Sequence, residues 1–151
     1  DSVLDVGCGE GHAAGFFLEL GCRVCGVDGS YLALGDSVIP EYHLRHDYTT
    51  GPFLPDEDYD MIWCCEFVEH VEEPFVDNFL ATFARAGKYI FMTAAPPGQP
   101  RWHHVNCQPS AYWIARVERL GFYFDPELTE EARRQAGSGH FFHQGLVFKR
   151  G

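Results

Sequence analysis

The chain has 151 residues, 46% of them apolar and 22% charged, with a formal net charge of −11. That length suits one domain with a sizeable core, taken here as residues 1–151. The acidity argues against a nucleic-acid partner, which needs clustered Lys and Arg, and no run of about 18 apolar residues offers a membrane span.

Strands and helices alternate along the chain, the pattern of an α/β fold with a parallel sheet. Val3 to Val6 reads as a first strand, followed by the tight loop Gly7-Cys8-Gly9-Glu10-Gly11. The chain opens on this strand with no lead-in, so the reading expects an N-terminally truncated domain. His12 to Leu20 has helical apolar spacing and Gly21 as its stop. Arg23 to Val27 is a second strand ending at Asp28, and Ser30 caps a short helix through Asp36. Tyr42 to His46 is a third strand with Asp47 after it. Residues 49–58 form a loop, with Gly51-Pro52 and Pro55 as breakers.

Tyr59 to Cys65 is a fourth strand. Glu73 to Ala86 is expected as a helix with Pro74 in its first turn, Phe75, Phe79, Leu80 and Phe83 on one face, and Gly87 as its stop. Lys88 to Thr93 is a fifth strand, and Ala95 to Cys107 a loop rich in proline, histidine and glycine. A helix over Gln108 to Leu120, a strand over Phe122 to Phe124, a short helix over Thr129 to Gln135 and a seventh strand over Phe141 to Lys149 complete the chain.

The six cysteines (8, 22, 25, 64, 65 and 107) are scattered. They read as free thiols of a reducing, cytoplasmic compartment. Cys22-x-x-Cys25 has no second pair, and no Cys/His spacing matches a zinc site, so no metal is expected.

The glycine loop follows the first strand, where doubly wound sheets bind nucleotides. A dinucleotide site needs G-x-G-x-x-G. Here the glycines fall at 7, 9 and 11, and position 12 is His. Asp5 precedes the loop and would repel a diphosphate, but it suits a ligand carrying an ammonium and a sulfonium. Asp28, at the end of the second strand, is placed to accept hydrogen bonds from ribose hydroxyls. Asp47, after the third strand, is placed to meet an adenine amino group.

Val3-Leu4-Asp5-Val6-Gly7-Cys8-Gly9-Glu10-Gly11 resembles the first motif of class I S-adenosylmethionine (SAM)-dependent methyltransferases. Tyr59 to Val71, with Glu66 and the pair Glu69-His70, resembles the fourth-strand motif of their ubiquinone-biosynthesis-like, type 11 group. The resemblance implies a Rossmann-like, doubly wound seven-stranded sheet of order 3-2-1-4-5-7-6 with strand 7 antiparallel, and SAM as cofactor. It implies a binding loop of Asp5, Gly7, Cys8, Gly9 and Gly11 around the carboxypropyl group, and the ribose on Asp28. It implies the adenine near Gly29, Ser30, Asp47 and Tyr48, with Cys65 and Glu66 on the methionyl side. The helix that covers SAM in this family precedes the first strand, so that lid is expected to be missing here.

Methyl transfer displaces a good leaving group, so the protein mainly positions the nucleophile and excludes water. The candidate catalytic residues are His70, after the fourth strand, and His104, in the loop Arg101-Trp102-His103-His104-Val105-Asn106. His140 and His143, flanking the expected last strand, read as structural or surface residues. The acceptor is expected to be a small molecule with an oxygen, carbon or aliphatic nitrogen nucleophile. An NAD-binding oxidoreductase and a non-catalytic SAM-binding module are the competing readings. The sequence does not choose among acceptors or oligomeric states.

Overall fold

A computed structural model describes residues 1–99 and 101–151. Its sheet is built from β1 (Ser2–Val6), β2 (Arg23–Asp28), β3 (His43–Arg45), β4 (Tyr59–Cys64), β5 (Ala86–Thr93), β6 (Phe122–Phe124) and β7 (Gly145–Arg150). The strands lie in the order β3-β2-β1-β4-β5-β7-β6, with β7 antiparallel to both neighbours. The helices are α1 (His12–Glu19), α2 (Tyr31–Gly35), α3 (Val76–Phe83), α4 (Ser110–Glu118), α5 (Pro126–Ala136) and α6 (Gly139–Gln144). This is the expected Rossmann-like α/β fold and strand order.

The alternation of β1 sends its side chains to two layers. Leu4 and Val6 join Val27, Ile62, Ile90, Phe79, Phe83 and Trp113 in the larger core, under α3 and α4. Val3 joins Ala14, Val24 and Ile39 in a smaller layer under α1, with Phe17 and Trp63 packed on it. Asp5 shares the Val3 face, so its carboxyl enters the smaller layer beside the start of α1. Arg150 ties the far edge together. Its guanidinium donates to the carbonyls of Ala84 (2.6 Å) and Ala86 (3.0 Å) and lies 4.3 Å above the Phe122 ring centroid.

Several boundaries differ from the sequence reading. Gly87 does not stop a helix: α3 ends at Phe83, and Gly87 lies inside β5. The pairing of β4 with β5 slips between Tyr59 and Met61, opposite Ala86 and Tyr89, and Gly87 sits in that irregularity. A Cβ there would stand 3.3 Å from the Tyr59 carbonyl oxygen, a contact glycine avoids. Glu73–Phe75 is a 3₁₀ turn before α3. Phe141–Gln144 is not strand but the end of α6, because Phe141 stacks on Trp63 (5.4 Å, 11°) and only Gly145 onward enters the ladder. α5 runs longer than expected, since the Asp125 carboxylate caps it by accepting from the Leu128 N–H at 2.9 Å. β3 is three residues, with Tyr42 closing a 3₁₀ turn before it. The loop expected over 95–107 includes Pro100, which lies outside the described residues. Among the described residues no helix is long and apolar enough to cross a membrane.

The first loop depends on glycine at two positions in different ways. Gly7 has φ +74° and the Phe67 side chain pressed against it, whereas Gly9 has φ +55° with nothing within 4 Å of a built Cβ. Gly9→Ala should therefore lose about 1–2 kcal/mol of stability to left-handed backbone alone. Gly7→Ala should lose that plus about 1–3 kcal/mol of overpacking. Urea unfolding of the two variants measures the difference, and equal losses would contradict this account of the loop.

Candidate functional site

The parallel strands end together on one edge, where open α/β sheets receive ligands beside the point at which strand order reverses. That point falls between β1 and β4, and a cleft of about 550 Å³ opens there. Its volume is in the range of small-molecule sites.

Asp28 closes the end of β2 and organises the floor. Its Oδ2 accepts the Gly9 N–H at 3.0 Å and its Oδ1 the Ser30 N–H at 2.8 Å. Each oxygen keeps a lone pair beyond these bonds. The rest of the first loop is turned inward. The Gly7 and Cys8 amides donate to the Val27 carbonyl (2.8 and 3.2 Å), and the Gly11 amide donates to that of Cys8 (2.9 Å). Four of the five loop amides are thus used inside the protein.

Of the residues singled out from sequence, Gly7, Asp28, Gly29, Ser30, Asp47, Tyr48, Glu66 and His70 line the cleft. Asp47 is exposed, and its Oδ1 accepts from the Thr49 N–H (2.9 Å) and hydroxyl (2.7 Å), which hold its carboxyl below the usual carboxylate range. Tyr48 is buried, its hydroxyl paired with Thr82 Oγ1 at 3.0 Å, and burial pushes the phenol's pKa up. Glu66 has φ +54°, and its amide is held by the Thr93 hydroxyl at 2.8 Å.

The structure does not bring the other six to the cleft wall. Cys8 faces under the loop, its Sγ 3.4 Å from His43 Nε2 and packed against Gly26. Gly9 reaches Asp28 only through its amide, and Gly11 leaves room for Ile39. Cys65 is half-buried, and its thiol is pushed up in pKa by burial and the nearby Asp5 carboxyl. Asp5 is 2% exposed with Oδ2 unpartnered. His104 is also off the wall, and its Nε2 is buried without a partner.

The sequence reading did not single out Phe67, His46 or Thr49, which also line the cleft. Phe67 sits edge-on to Tyr48 at 5.7 Å, as His46 does at 4.9 Å, so the wall is a continuous aromatic cluster. The -Cys-Cys-Glu-Phe- run gave no signal for this beyond its position after β4. His140, read from sequence as structural or surface, sits on α6 with Nδ1 3.0 Å from Glu66 Oε1, and Arg101 is 3.7 Å from the other Glu66 oxygen.

The wall opposite Asp28 comes from the 3₁₀ turn Val68–His70 and the loop after β5. His70 is partly buried, which lowers its imidazole pKa, and its Nδ1 lies 3.0 Å from the His103 carbonyl. With that nitrogen donating, Nε2 is the free acceptor. Glu69 is fully buried, both of its carboxylate oxygens lack partners, and burial raises its carboxyl to about 7. Glu69, His70 and His104 bring three metal-capable atoms within 4.8 Å of one another, a grouping the sequence reading did not expect.

Residues 4–89 match the family model described as "Methyltransferase domain". Among curated relatives, the ubiquinone biosynthesis O-methyltransferase of Rhodopseudomonas palustris (strain BisB5) is 33% identical, over 97% of this chain and 61% of its own. That of Pseudomonas fluorescens (strain Pf0-1) is 29% identical, over 76% of this chain and 49% of its own. The chain thus spans about half the length of the curated relatives it matches. Among solved structures, magnesium protoporphyrin IX methyltransferase from Synechocystis PCC 6803 with bound S-adenosylhomocysteine superposes with a TM-score of 0.72, at 17% identity and covering 99% and 74% of the two chains. A TehB-like SAM-dependent methyltransferase from Corynebacterium glutamicum gives 0.73 at 16% identity, covering 99% and 80%. These two likenesses speak for the fold.

Asp5 links the site to pH. Burial raises its carboxyl from 3.8 to about 7, the Ala14 backbone N–H opposing and the Asp28 charge adding to the rise. The folded state therefore holds a proton that the unfolded chain releases, and this contribution to stability is lost as pH rises from about 4 to 7. A displacement of that size corresponds to about 4 kcal/mol at most. Asp5→Asn should remove it, so the stability of the parent relative to the variant should fall by up to that amount between pH 4.5 and 8. A difference that stays constant with pH would contradict the assignment.

Proposed function

The chain belongs to the class I SAM-dependent methyltransferases, and from that premise we propose that it binds SAM in this cleft and transfers its methyl group to a small-molecule acceptor. The observation that carries the reading is the sign of the cleft. Its wall holds the carboxylates of Asp28, Asp47, Glu66 and Glu72 and, among the described residues, no Lys or Arg. Such a wall favours a ligand with an ammonium and a sulfonium and disfavours a diphosphate. The inward-turned amides of the first loop support the same choice, since a dinucleotide site presents those amides to phosphate.

In this reading the two lone pairs of Asp28 receive the ribose hydroxyls, and the aromatic floor of Tyr48 and Phe67 lies under the adenosine. The adenine amino group meets Asp47, and the methionyl end runs toward Gly7 and Glu66. The sulfonium is already a good leaving group, so the chain's task is to hold the acceptor in line with the methyl carbon and keep water away. His70, with a free Nε2 at the cleft wall, is the side chain on the acceptor side that handles the nucleophile; His104 stands behind it. An oxygen acceptor is preferred over carbon or nitrogen because the curated relatives carry the name O-methyltransferase.

Asp28→Ala should weaken SAM or S-adenosylhomocysteine binding by about 1–3 kcal/mol, through lost and unpaired hydrogen bonds. Calorimetry on a variant shown to be folded by its melting curve measures this; unchanged affinity would refute the ribose assignment. In a thermal-shift comparison SAM and S-adenosylhomocysteine should stabilise the parent chain and NADH should not. Stabilisation by NADH alone would favour the oxidoreductase reading, and binding of SAM without turnover of any acceptor would favour a non-catalytic module.

A further inference from the structure

The cleft wall opposite Asp28 ends in an indole that the fold leaves bare. Trp102 is 90% exposed, whereas Trp113 is fully buried and Trp63 is half-buried against Phe141. Single exposed apolar residues are ordinary on a protein surface, but this one lines the cleft and is built into its wall. The His104 amide donates to the Arg101 carbonyl at 3.2 Å, closing a turn with Trp102 and His103 at its centre. His103 takes φ +58° there. A residue with a side chain keeps that conformation only where its surroundings impose it. The Val105 and Asn106 amides donate to the Glu69 carbonyl at 3.0 and 3.1 Å, which pins the end of the turn to the segment after β4.

Rings stack outward along this wall. His70 and His103 lie nearly parallel (7°, centroids 6.3 Å apart), and Trp102 meets His103 at 5.5 Å and 37°. The charge beside them is negative. Glu66 and Glu72 share the wall, which among the described residues holds no Lys or Arg. His70 adds no positive charge near neutral pH, since partial burial lowers its imidazole pKa. Glu66 is engaged by His140 at 3.0 Å and by Arg101 at 3.7 Å. Glu72 is exposed, its side chain does not cap the 3₁₀ turn that follows, and among the described residues no Lys, Arg or His nitrogen lies within 4 Å of its carboxylate. Its neighbour Glu73 pairs instead with Arg116 (3.9 Å) and the Tyr112 hydroxyl (3.1 Å). In the seating above, Asp28 and Asp47 meet the adenosine and Glu66 the methionyl end, so Glu72 is left for the acceptor.

We propose that Trp102 and Glu72 select the methyl acceptor, which carries a cationic nitrogen (a protonated amine or a quaternary ammonium) seated on the Trp102 indole with Glu72 as its counter-charge. This role rests on the methyl-transfer reading above and adds the charge class of the acceptor. An ammonium over an aromatic face is drawn to the ring's quadrupole, and Trp attracts it most strongly. A carboxylate beside the ring adds to that attraction once water is displaced. An anionic acceptor would meet Glu66 and Glu72 with no cation on the wall to receive it. The cationic nitrogen is a substituent and not the nucleophile. The acceptor's hydroxyl faces His70 deeper in the cleft, and its nitrogen faces the mouth. Trp102 and Glu72 thus decide which molecule is held in line with the methyl group and take no part in the bond changes.

The test compares tyramine, 4-methylphenol and 4-hydroxyphenylacetate, one phenol ring with a cationic, a neutral and an anionic substituent. Calorimetry on the intact chain saturated with S-adenosylhomocysteine reads their binding. Tyramine should bind roughly threefold or more tighter than 4-methylphenol, and 4-hydroxyphenylacetate should bind most weakly. Trp102→Ala should weaken tyramine binding roughly threefold to thirtyfold, and Trp102→Phe should keep most of it. Glu72→Gln should cut the preference for tyramine over 4-methylphenol by about threefold. Both side chains are exposed, so the variants should melt with the parent and bind S-adenosylhomocysteine as it does. Equal binding of the three phenols, preference for the anion, no saturable binding of tyramine, or a Trp102→Ala chain that binds tyramine like the parent would overturn the proposal. Absent S-adenosylhomocysteine binding by the parent would instead overturn the methyl-transfer reading beneath it.

Discussion

The cleft depends on one carboxylate that joins two loops. Asp28 accepts an amide from the loop after β1 and another from the turn after β2. Without it, Gly9 and Ser30 would each lose a charge-assisted partner. The left-handed glycines matter because of this bond: they fold the first loop back until its amides reach Val27 and Asp28. What remains facing the cleft is negative charge on a rigid frame, and the reading of a cationic cofactor follows from that geometry.

The electrostatics extend behind the visible wall. Asp5 and Glu69 are both buried, and burial brings each to about 7. They sit on opposite sides of the β1–β4 junction, one beside the start of α1 and one under the loop after β5. Buried carboxyls without full hydrogen bonding are costly unless a ligand charge or proton compensates. One lies behind the glycine loop after β1, with Oδ2 unpartnered. The other lies with two imidazoles, a different chemistry at the opposite end of the same cleft.

How much of this was legible in sequence depended on how local each feature is. β1, its loop and β2 were readable because an apolar run, three glycines and an acid are contiguous. β6 was placed at its observed limits, Phe122–Phe124, between a glycine and a capping Asp-Pro. Gly87 was misread because a helix stop and a strand irregularity leave the same mark, a lone glycine after an apolar face. Phe141 was misread because two adjacent aromatics favour a strand, while its helical turn is fixed by stacking on Trp63 across the sheet. In the site, residues on strand ends were found by position alone. The burial of Glu69 and its approach to His104 were not, since they rest on hydrogen bonds from residues 105 and 106 to a carbonyl some 36 positions earlier.

A cationic adenosyl ligand seated on Asp28 between the ends of β1 and β2 should reveal itself in the backbone amide resonances as S-adenosylmethionine is added. That seating on Asp28 requires saturable shifts centred on Gly7, Gly9, Gly29, Ser30 and Asp47, with the amides of α5 unmoved. Shifts confined to other faces of the sheet, or none that saturate, would contradict it.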